Sequence, residues 1–187
     1  RMIFGWEMPA SMTQFFNPFF IILFGSIFSI MWVKLSQIGK NPSIPLKFCF
    51  GIVQLALGFL LTKLGFQFVN EAYQVPILTL VFLYMLHTSG ELFLSPIGLS
   101  MVTKLSPKSM AGTAMGAWFL SFAIANYAGG KIAAITGGHG GGEVVSAEAG
   151  LLQYLDVFST IGYVLLVIAA IIFLLNKPIK KLMHGVE

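Results

Sequence analysis

A chain of 187 residues in which 57% of the side chains are hydrophobic and only 10% are charged is far more apolar than an ordinary soluble domain, of which about 25% is charged. This composition excludes a soluble globular protein and predicts a polytopic membrane protein. The formal net charge of +4 is then a topology signal, carried by the positions of the lysines. It does not indicate a nucleic-acid partner, since no nucleic-acid-binding module is recognisable.

Runs of about 20 apolar residues, the length that crosses a bilayer as a helix, occur five times. The sequence therefore predicts an all-α bundle of five transmembrane helices, over residues 13–33, 46–66, 77–103, 109–135 and 151–176. Short connections that contain glycine, proline and asparagine separate these runs. Asn176, Lys177 and Pro178 are expected to end the last helix.

Basic residues are unevenly distributed if successive connections lie on alternate faces of the membrane. One face carries Lys34, Lys40, Lys47, Lys104, Lys108, Lys177, Lys180 and Lys181. The other face carries Arg1, Lys63 and Lys131. By the positive-inside rule the lysine-rich face is cytoplasmic. The charges thus predict an integral membrane protein with its C-terminus in the cytoplasm and its N-terminus outside. We expect it in the plasma (inner) membrane.

The beginning of the chain leaves this topology incomplete. The chain opens on Arg1 and not on a methionine, and it lacks the charged region, short apolar core and cleavage site of a signal peptide. An odd number of helices with an external N-terminus also needs an explanation. We therefore expect the sequence to be a piece of a longer protein, with at least one more span upstream.

The first two helices contain a few polar residues. Asn17-Pro18 could offer an amide and a free backbone carbonyl to a ligand. It could equally be an interfacial helix start with proline in the first turn, and the spacing leaves both interpretations open. Gln54 of the second helix lies between two glycines and is expected to join helices. Cys49, the only cysteine, is expected to be a buried, inert thiol.

The third helix contains Glu91, a carboxylate whose burial at bilayer depth is costly unless it is paired, protonated or hydrated. Tyr84, His87, Glu91 and Ser95 lie at i, i+3, i+7 and i+11 and so form one polar stripe. Pro96 interrupts the backbone hydrogen bonds just beyond it. The stripe is expected to face protein or a water-filled cavity. Alternatively, Glu91 joins two helices as an ion pair or a protonated acid, and His87 is a packed neutral ring more readily than a proton relay.

The fourth helix presents small residues along one ridge. The ridge consists of Gly112, Gly116, Ser121, Ala125 and Gly129. Small residues allow another helix to approach closely, which suits either a gate that opens and closes or static packing. Trp118 lies too deep in the span for the interfacial aromatic belt, so it either lines a pocket or packs in the core.

A glycine-rich segment at residues 137–143, with the sequence GGHGGGE, resembles the His-Gly-Gly-Gly element of some esterases. That element accompanies a Gly-x-Ser-x-Gly nucleophile elbow and alternating strands and helices, and the sequence has neither. We therefore expect an external loop and no enzyme activity. Metal-ligand spacings and phosphate-binding loops are also missing from the sequence.

Three stretches agree in order and spacing with one known family. The string GELFLSPIGLSMVTKL at 90–105 is similar to a tenth-helix signature, and FGWEMPAS at 4–11 and MGAWFL at 115–120 match as well. On these residues the chain resembles the proton-dependent oligopeptide transporters (POT), a branch of the major facilitator superfamily. The resemblance covers essentially the whole chain. It implies that the five helices correspond to helices eight to twelve of a twelve-helix transporter.

The resemblance also implies roles for individual residues. Glu91 would bind the amino end of a peptide and take part in proton coupling, Asn17 would hydrogen-bond the peptide, and Trp118 would line a side-chain pocket. The implied substrate-binding residues are Glu91, Asn17, Trp118, Ser121 and Phe122. The implied gate and hinge residues are Pro96, Gly98, Leu99, Gly112 and Gly116. No cofactor is implied, because the coupling ion is the proton itself.

The resulting prediction is the C-terminal part of a symporter that moves di- and tripeptides with protons by alternating access. Its expected partners are small peptides, the lipid bilayer and an N-terminal bundle of the same transporter. That bundle and the seventh helix would supply a Glu-x-x-Glu-Arg element, a lysine that pairs with Glu91 and a further acid. The alternatives are a same-fold transporter of nitrate or an amino-acid conjugate, or a non-transporting membrane subunit in which Glu91 packs dry between helices.

Overall fold

Five long helices form most of the structure, a computed structural model that describes residues 2–3, 6–7, 9–71, 73–136, 146–183 and 186. They are α1 (Phe16–Gln37), α2 (Ile44–Phe66), α3 (Ile77–Leu105), α4 (Ala111–Thr136) and α5 (Ala147–Leu182). The prediction of an all-α bundle of five helices is confirmed. Two features ahead of α1 were not predicted. They are the antiparallel pair β1 (Met2–Ile3) and β2 (Trp6–Glu7), and a 3-10 helix over Ala10–Phe15.

The last helix, α5, continues past its predicted end. Pro178 lies inside the helix, which reaches Leu182, so the expectation that residues 176–178 end it is wrong. Proline removes one backbone donor and bends a helix, but the helix can continue beyond it. Lys180 and Lys181 lie in the last turn. Their charges stabilise the continued helix, because cations interact favourably with the negative end of the helix dipole.

Among the described helices, α1, α2, α3 and α5 are long and apolar enough to cross a membrane. At 26 residues α4 is also long enough, but its glycines and polar residues such as Asn126 lower its hydropathy. Small and polar side chains at bilayer depth normally contact protein and not lipid. Of the five helices, α4 is therefore the one that most requires a protein partner for its exposed sides.

Helices α2 and α3 meet along a glycine seam, formed by Gly51, Gly58 and Gly65 of α2 and Gly90 of α3. The three α2 glycines recur every seven residues, and each faces α3. A Cβ atom on Gly90 would lie 2.7 Å from the Gly51 carbonyl oxygen. Because a side chain larger than hydrogen does not fit there, the two backbones approach closely. The glycine seam thereby sets the rotation of α3 about its own axis.

The opposite side of α2 is covered by α5. Ala56 and Ala169 are 0% and 2% exposed, and the Cys49 thiol donates a hydrogen bond to the Ala169 carbonyl oxygen over 3.3 Å. Cys49 is buried, as expected. Beside the glycine seam, the Ser89 hydroxyl donates to Gln54 Oε1, which confirms that Gln54 joins helices. The packed centre of the bundle therefore consists of α2, α3 and α5.

Aromatic rings hold α1 against α3. Phe20, Phe24 and Phe28 stack along α1, with successive ring centroids 5.5 Å apart. Phe28 and Trp32 then both meet Phe93 of α3 edge to face, at 5.0 Å and 5.1 Å. Such aromatic pairs contribute about 0.5–1.5 kcal/mol each beyond the area they bury. These ring contacts, and not contacts between small residues, fix the position of α1 against α3.

A tyrosine connects the α2–α3 loop with α5. Tyr73 has a left-handed backbone conformation, with φ 56°, and its hydroxyl donates to Glu148 Oε2 over 3.0 Å. The hydrogen bond to Glu148, together with the negative charge of that carboxylate, raises the pKa of Tyr73 above its ordinary value. This contact ties the first turn of α5 to the rest of the bundle.

Replacing Gly51 with alanine should destabilise the bundle. The new Cβ would lie 2.9 Å from the Gly90 carbonyl oxygen, so the two backbones would have to separate, and overpacking of this kind costs about 1–3 kcal/mol. The matched control is Gly25→Ala, because nothing lies within 4 Å of that position. Thermal unfolding of the full-length protein in detergent should give a lower midpoint for Gly51→Ala only. Equal midpoints would contradict the glycine seam.

Candidate functional site

Glu91 lies on α3 directly after the seam residue Gly90. Thr88, Ser89 and Gly90 are buried, but each successive residue turns by about 100° around a helix, and Glu91 is exposed. Within the described part of the chain, no residue forms an ion pair or hydrogen bond with its carboxylate. The geometry therefore disfavours a role in joining two helices of this chain. It leaves the carboxylate accessible to a cation or a proton.

Asn17 reaches α3 one helical turn from Glu91. Its Nδ2 atom donates a hydrogen bond to Thr88 Oγ1 over 3.1 Å, and Thr88 is 0% exposed. Residues three apart on a helix are surface neighbours, with Cβ atoms about 5–6 Å apart. The bond to Thr88 thus brings the amide of Asn17 beside Glu91. The second N–H and the carbonyl oxygen of this amide have no partner among the described residues.

The start of α1 agrees with the interpretation of Asn17-Pro18 as a helix start, and the ligand-binding role of the Asn17 amide stays a prediction. Phe16 begins the helix, and Pro18 is in its first turn, where the missing N–H of proline would have had no helical partner. The Phe16 ring packs against Tyr84 of α3, with centroids 6.0 Å apart. This contact and the hydrogen bond to Thr88 together direct the amide of Asn17 toward α3.

Thr88 is the site residue that the sequence reasoning missed. Threonine in a helix often bonds to a carbonyl of its own preceding turn, so its presence does not by itself reveal a contact between helices. The feature of the sequence that could have identified Thr88 was its position three residues before Glu91. In an apolar helix, a hydroxyl one turn away from a carboxylate is a candidate for holding another polar group near that carboxylate.

His87 does not share the exposed face of Glu91. Its ring lies against Phe59 of α2, with centroids 4.5 Å apart, in the space that Gly58 leaves, and it interacts with the Leu55 backbone. Its Nε2 atom is buried and has no hydrogen-bond partner among the described residues. The expectation of a packed ring is confirmed. The expectation of one continuous stripe is wrong at His87, because the glycine seam draws this ring toward α2.

Trp118 of α4 lies against α3, two helical turns beyond Glu91. Gly98 leaves the space for its ring, because a Cβ atom there would collide with it. Trp118 and Ser121 also line a cleft of about 560 Å³ between the C-terminal end of α3 and the N-terminal half of α4. Trp118 therefore combines the two roles that the sequence left open, since it contacts α3 on one side and borders a cleft on the other.

The two residues predicted to act with Trp118 lie close to it on α4. The Phe122 ring is 6.1 Å from the Trp118 ring and roughly perpendicular to it, and Phe122 is exposed. The Ser121 hydroxyl donates to the Trp118 carbonyl oxygen over 2.6 Å. Its proton is therefore engaged within α4, and only its oxygen lone pairs face the cleft.

Of the predicted gate residues, Gly98 contacts the Trp118 ring, but none of the five is among the residues that line the cleft. The helix α3 runs without a break through Pro96, and both Pro96 and Leu99 are exposed. A Cβ atom on Gly112 or Gly116 would meet nothing within 4 Å. Within the described chain, the small-residue ridge of α4 therefore has no contacts at these two glycines. The predicted loop at 137–143 lies outside the described residues.

Comparison with known proteins gives one consistent family. A family model described as "PTR2: POT family" matches residues 1–141. The chain is 36% identical to Dipeptide and tripeptide permease A of Edwardsiella piscicida, over 98% of this chain and 36% of the permease. It is also 36% identical to Peptide transporter YePEPT of Yersinia enterocolitica, over 100% of this chain and 35% of that protein.

A third relative, the uncharacterized transporter YclF of Bacillus subtilis, is 35% identical over 97% of this chain and 34% of its own length. The chain thus spans about a third of the length of the curated relatives it matches. Among solved structures, the peptide transporter POT in complex with sulfate superimposes with a TM-score of 0.73 at 29% identity, over 98% of this chain and 34% of that one. Tetrameric PepTSo2 has the same fold, with a TM-score of 0.76 at 24% identity, over 97% and 36% of the two chains.

A double-mutant cycle should detect the hydrogen bond between Asn17 and Thr88. Thr88→Val keeps the shape of the side chain and removes the acceptor, and Asn17→Ala removes the donor. The two changes should destabilise the full-length protein less than additively, with a coupling of about 1 kcal/mol in the free energy of unfolding. Thr88→Ser, which keeps the hydroxyl, serves as the control. Strictly additive effects would show that the bond does not form.

Proposed function

Because this chain belongs to the POT family, we propose that it forms the C-terminal part of a symporter that moves di- and tripeptides together with protons by alternating access. The observation that carries the proposal is the exposed carboxylate of Glu91 on an apolar helix, without a partner in the described chain. Relatives named as dipeptide and tripeptide permeases support the choice of substrate. The activity is that of the whole transporter, since the chain spans about a third of such relatives.

Recognition of the peptide begins at Glu91. The ionised carboxylate binds the cationic amino terminus of the peptide through a charge-assisted hydrogen bond, which is stronger than a neutral one. Asn17, held in place by Thr88, offers its carbonyl oxygen and its second N–H to the peptide backbone. A carboxylate at this position repels an anion, so the site suits a peptide better than nitrate.

The side chain of the peptide binds near Trp118. The cleft beside Trp118 and Ser121 has a volume of about 560 Å³, and the exposed ring of Phe122 lies next to it. Its walls are mostly apolar, with few hydrogen-bonding groups, so a range of side chains fits without strict selection. This part of the site contributes affinity, while Glu91 and Asn17 recognise the features that all peptides share.

Coupling follows from competition for the carboxylate of Glu91 between a proton and a cation. Protonation weakens its attraction for a lysine of the N-terminal bundle and for the peptide ammonium, and so changes the balance between outward-open and inward-open states. About 1.4 kcal/mol of differential stabilisation changes that balance tenfold. The bend needed at the gate is assigned to Pro96 and the adjacent Gly98, since proline weakens the backbone hydrogen bonds of α3.

The N-terminal bundle is expected to cover α4. The glycines of the α4 ridge face open space in the described chain, and the curated relatives are about three times as long as this chain. Small residues permit the close, smooth contact that a gate has to form and break. The lysine-rich ends of the helices face the cytoplasm in this proposal, which places the C-terminus inside the cell.

Glu91→Gln in the full-length transporter should abolish most uptake driven by a proton gradient. The variant keeps the size of the side chain but loses its charge, and a hydrogen bond to a charged group contributes about 1.5–3 kcal/mol. Uptake of a labelled dipeptide into proteoliposomes should therefore fall roughly ten- to hundredfold. Glu71→Gln, in the exposed connection between α2 and α3, is the matched control and should transport normally. Unchanged uptake by Glu91→Gln would refute the role assigned to Glu91.

Competition experiments should identify the solute. Unlabelled dialanine should compete with the labelled dipeptide, whereas N-acetyl-dialanine, which lacks the amino-terminal charge, should compete at least tenfold less well, because it forms no ion pair with Glu91. Nitrate should not compete. If nitrate competed and dialanine did not, the substrate would be an anion and the peptide assignment would be wrong.

The proposed topology can be tested with a protease. A cleavable tag at the C-terminus of the full-length transporter should be protected in intact, right-side-out spheroplasts and removed in inverted membrane vesicles, because the lysine-rich face is expected inside. A second tag in the segment at 137–143, which the sequence predicts to be an external loop, should show the reverse pattern. Cleavage of the C-terminal tag in intact spheroplasts would overturn the orientation.

A further inference from the structure

A second pocket lies on the far side of the bundle from Glu91, between α2 and α5. It has a volume of about 480 Å³ and is lined by Lys63, Phe66, Gln67, Leu155, Asp156 and Ser159. None of these residues belongs to the proposed peptide site. Pockets of about 300–1,000 Å³ with a few polar groups are the usual size of small-molecule sites.

Two opposite charges line this pocket without pairing with each other. Lys63 Nζ donates to the Tyr163 hydroxyl over 3.2 Å and lies 5.1 Å from the centre of its ring. Tyrosine is neutral, so this contact orients the ammonium group and leaves its charge uncompensated by the residues described here. Asp156 is exposed and has no basic partner among the described residues. A gap between a fixed cation and a fixed anion is complementary to a zwitterion.

Ser159 supplies an independent sign of a ligand. It is 5% exposed, and its hydroxyl oxygen is buried with no hydrogen-bond partner in the described structure. Leaving a buried polar group unsatisfied is unfavourable, so such groups are normally hydrogen-bonded. Ser159 lines the pocket, so rotation of its side chain to another staggered rotamer would present the hydroxyl to an oxygen atom of a ligand there.

The position of the pocket along the helices matches the depth of lipid headgroups. Lys63 is in the last turn of α2, and a lysine near the end of a membrane helix places its charge at the membrane interface. From Asp156, a strip of exposed apolar side chains continues along the same face of α5 toward the opposite end of the bundle. The strip consists of Tyr163, Val167 and Ile171. Intervals of seven, four and four residues keep these side chains on one side of the helix, where acyl chains can lie.

We propose that this pocket binds the headgroup of phosphatidylethanolamine. Lys63 binds the phosphate, Asp156 binds the primary ammonium group, and the Ser159 hydroxyl donates to a phosphate oxygen. Phosphatidylglycerol has no cation for Asp156, and the trimethylammonium group of phosphatidylcholine has no N–H to donate to it. The site is independent of the transported solute, so it stands whether or not the proposal for peptides is correct.

The test is native mass spectrometry of the delipidated full-length transporter with palmitoyl-oleoyl lipids added one at a time. The wild type should bind phosphatidylethanolamine roughly tenfold more tightly than phosphatidylglycerol or phosphatidylcholine, because only that headgroup pairs with both charges. Asp156→Asn should remove the preference over phosphatidylcholine, and Lys63→Gln should weaken the binding of all three lipids. Lys131→Gln and Glu71→Gln, which change charges outside the pocket, should behave like the wild type.

Ser159→Ala is a third, conservative variant that keeps the test informative if a charge change impairs folding. It should weaken the binding of phosphatidylethanolamine several-fold and leave peptide uptake unchanged. The proposal is overturned if the wild type binds the three lipids equally. It is likewise overturned if Lys63→Gln, Asp156→Asn and Ser159→Ala all retain wild-type binding, or if phosphatidylglycerol binds as tightly as phosphatidylethanolamine.

Discussion

The close contact of α2 with α3 along the glycine seam is the constraint on which the remainder of the structure depends. Gly51 and Gly90 face each other with no room for a Cβ atom, and Gly58 and Gly65 repeat the contact along α2. Lipid supplies no hydrophobic force between helices, so this close packing must hold them together. Because backbones in contact cannot rotate freely, the seam also determines which residues of α3 face α2 and which do not.

The candidate site follows from that rotation. Gly90 faces α2, so the next residue, Glu91, turns away from it and remains exposed, while His87 is drawn into the space left by Gly58. The aromatic rings that fix α1 on α3 then bring Asn17 to Thr88, one turn from the carboxylate. A site built in this way uses rigid helices to position its polar groups, and α4 packs less extensively against them than they pack against one another.

The two sides of the bundle have different partners. One side, which we assign to the peptide and the N-terminal bundle, contains Glu91, the Trp118 cleft and the small-residue ridge of α4. Lys63 and Asp156, which form no ion pair with any residue that the structure describes, lie on the side formed by α2 and α5, which we assign to lipid. With α2 between α3 and α5, the packed centre separates the two surfaces, so a lipid on one side does not compete with a solute on the other.

The sequence by itself determined the helices and singled out Glu91 as a candidate, because long apolar runs and an isolated carboxylate are local properties of a chain in lipid. It also predicted that Gln54 joins helices, and it left Trp118 open between a pocket and the core. Only the tertiary structure decided that His87 leaves the polar stripe and that Thr88 holds Asn17, because both depend on which face of α3 the glycine seam turns toward α2. The end of α5 was misjudged at Pro178 for a related reason: a single proline weakens a helix locally, and the neighbouring turns decide whether it continues.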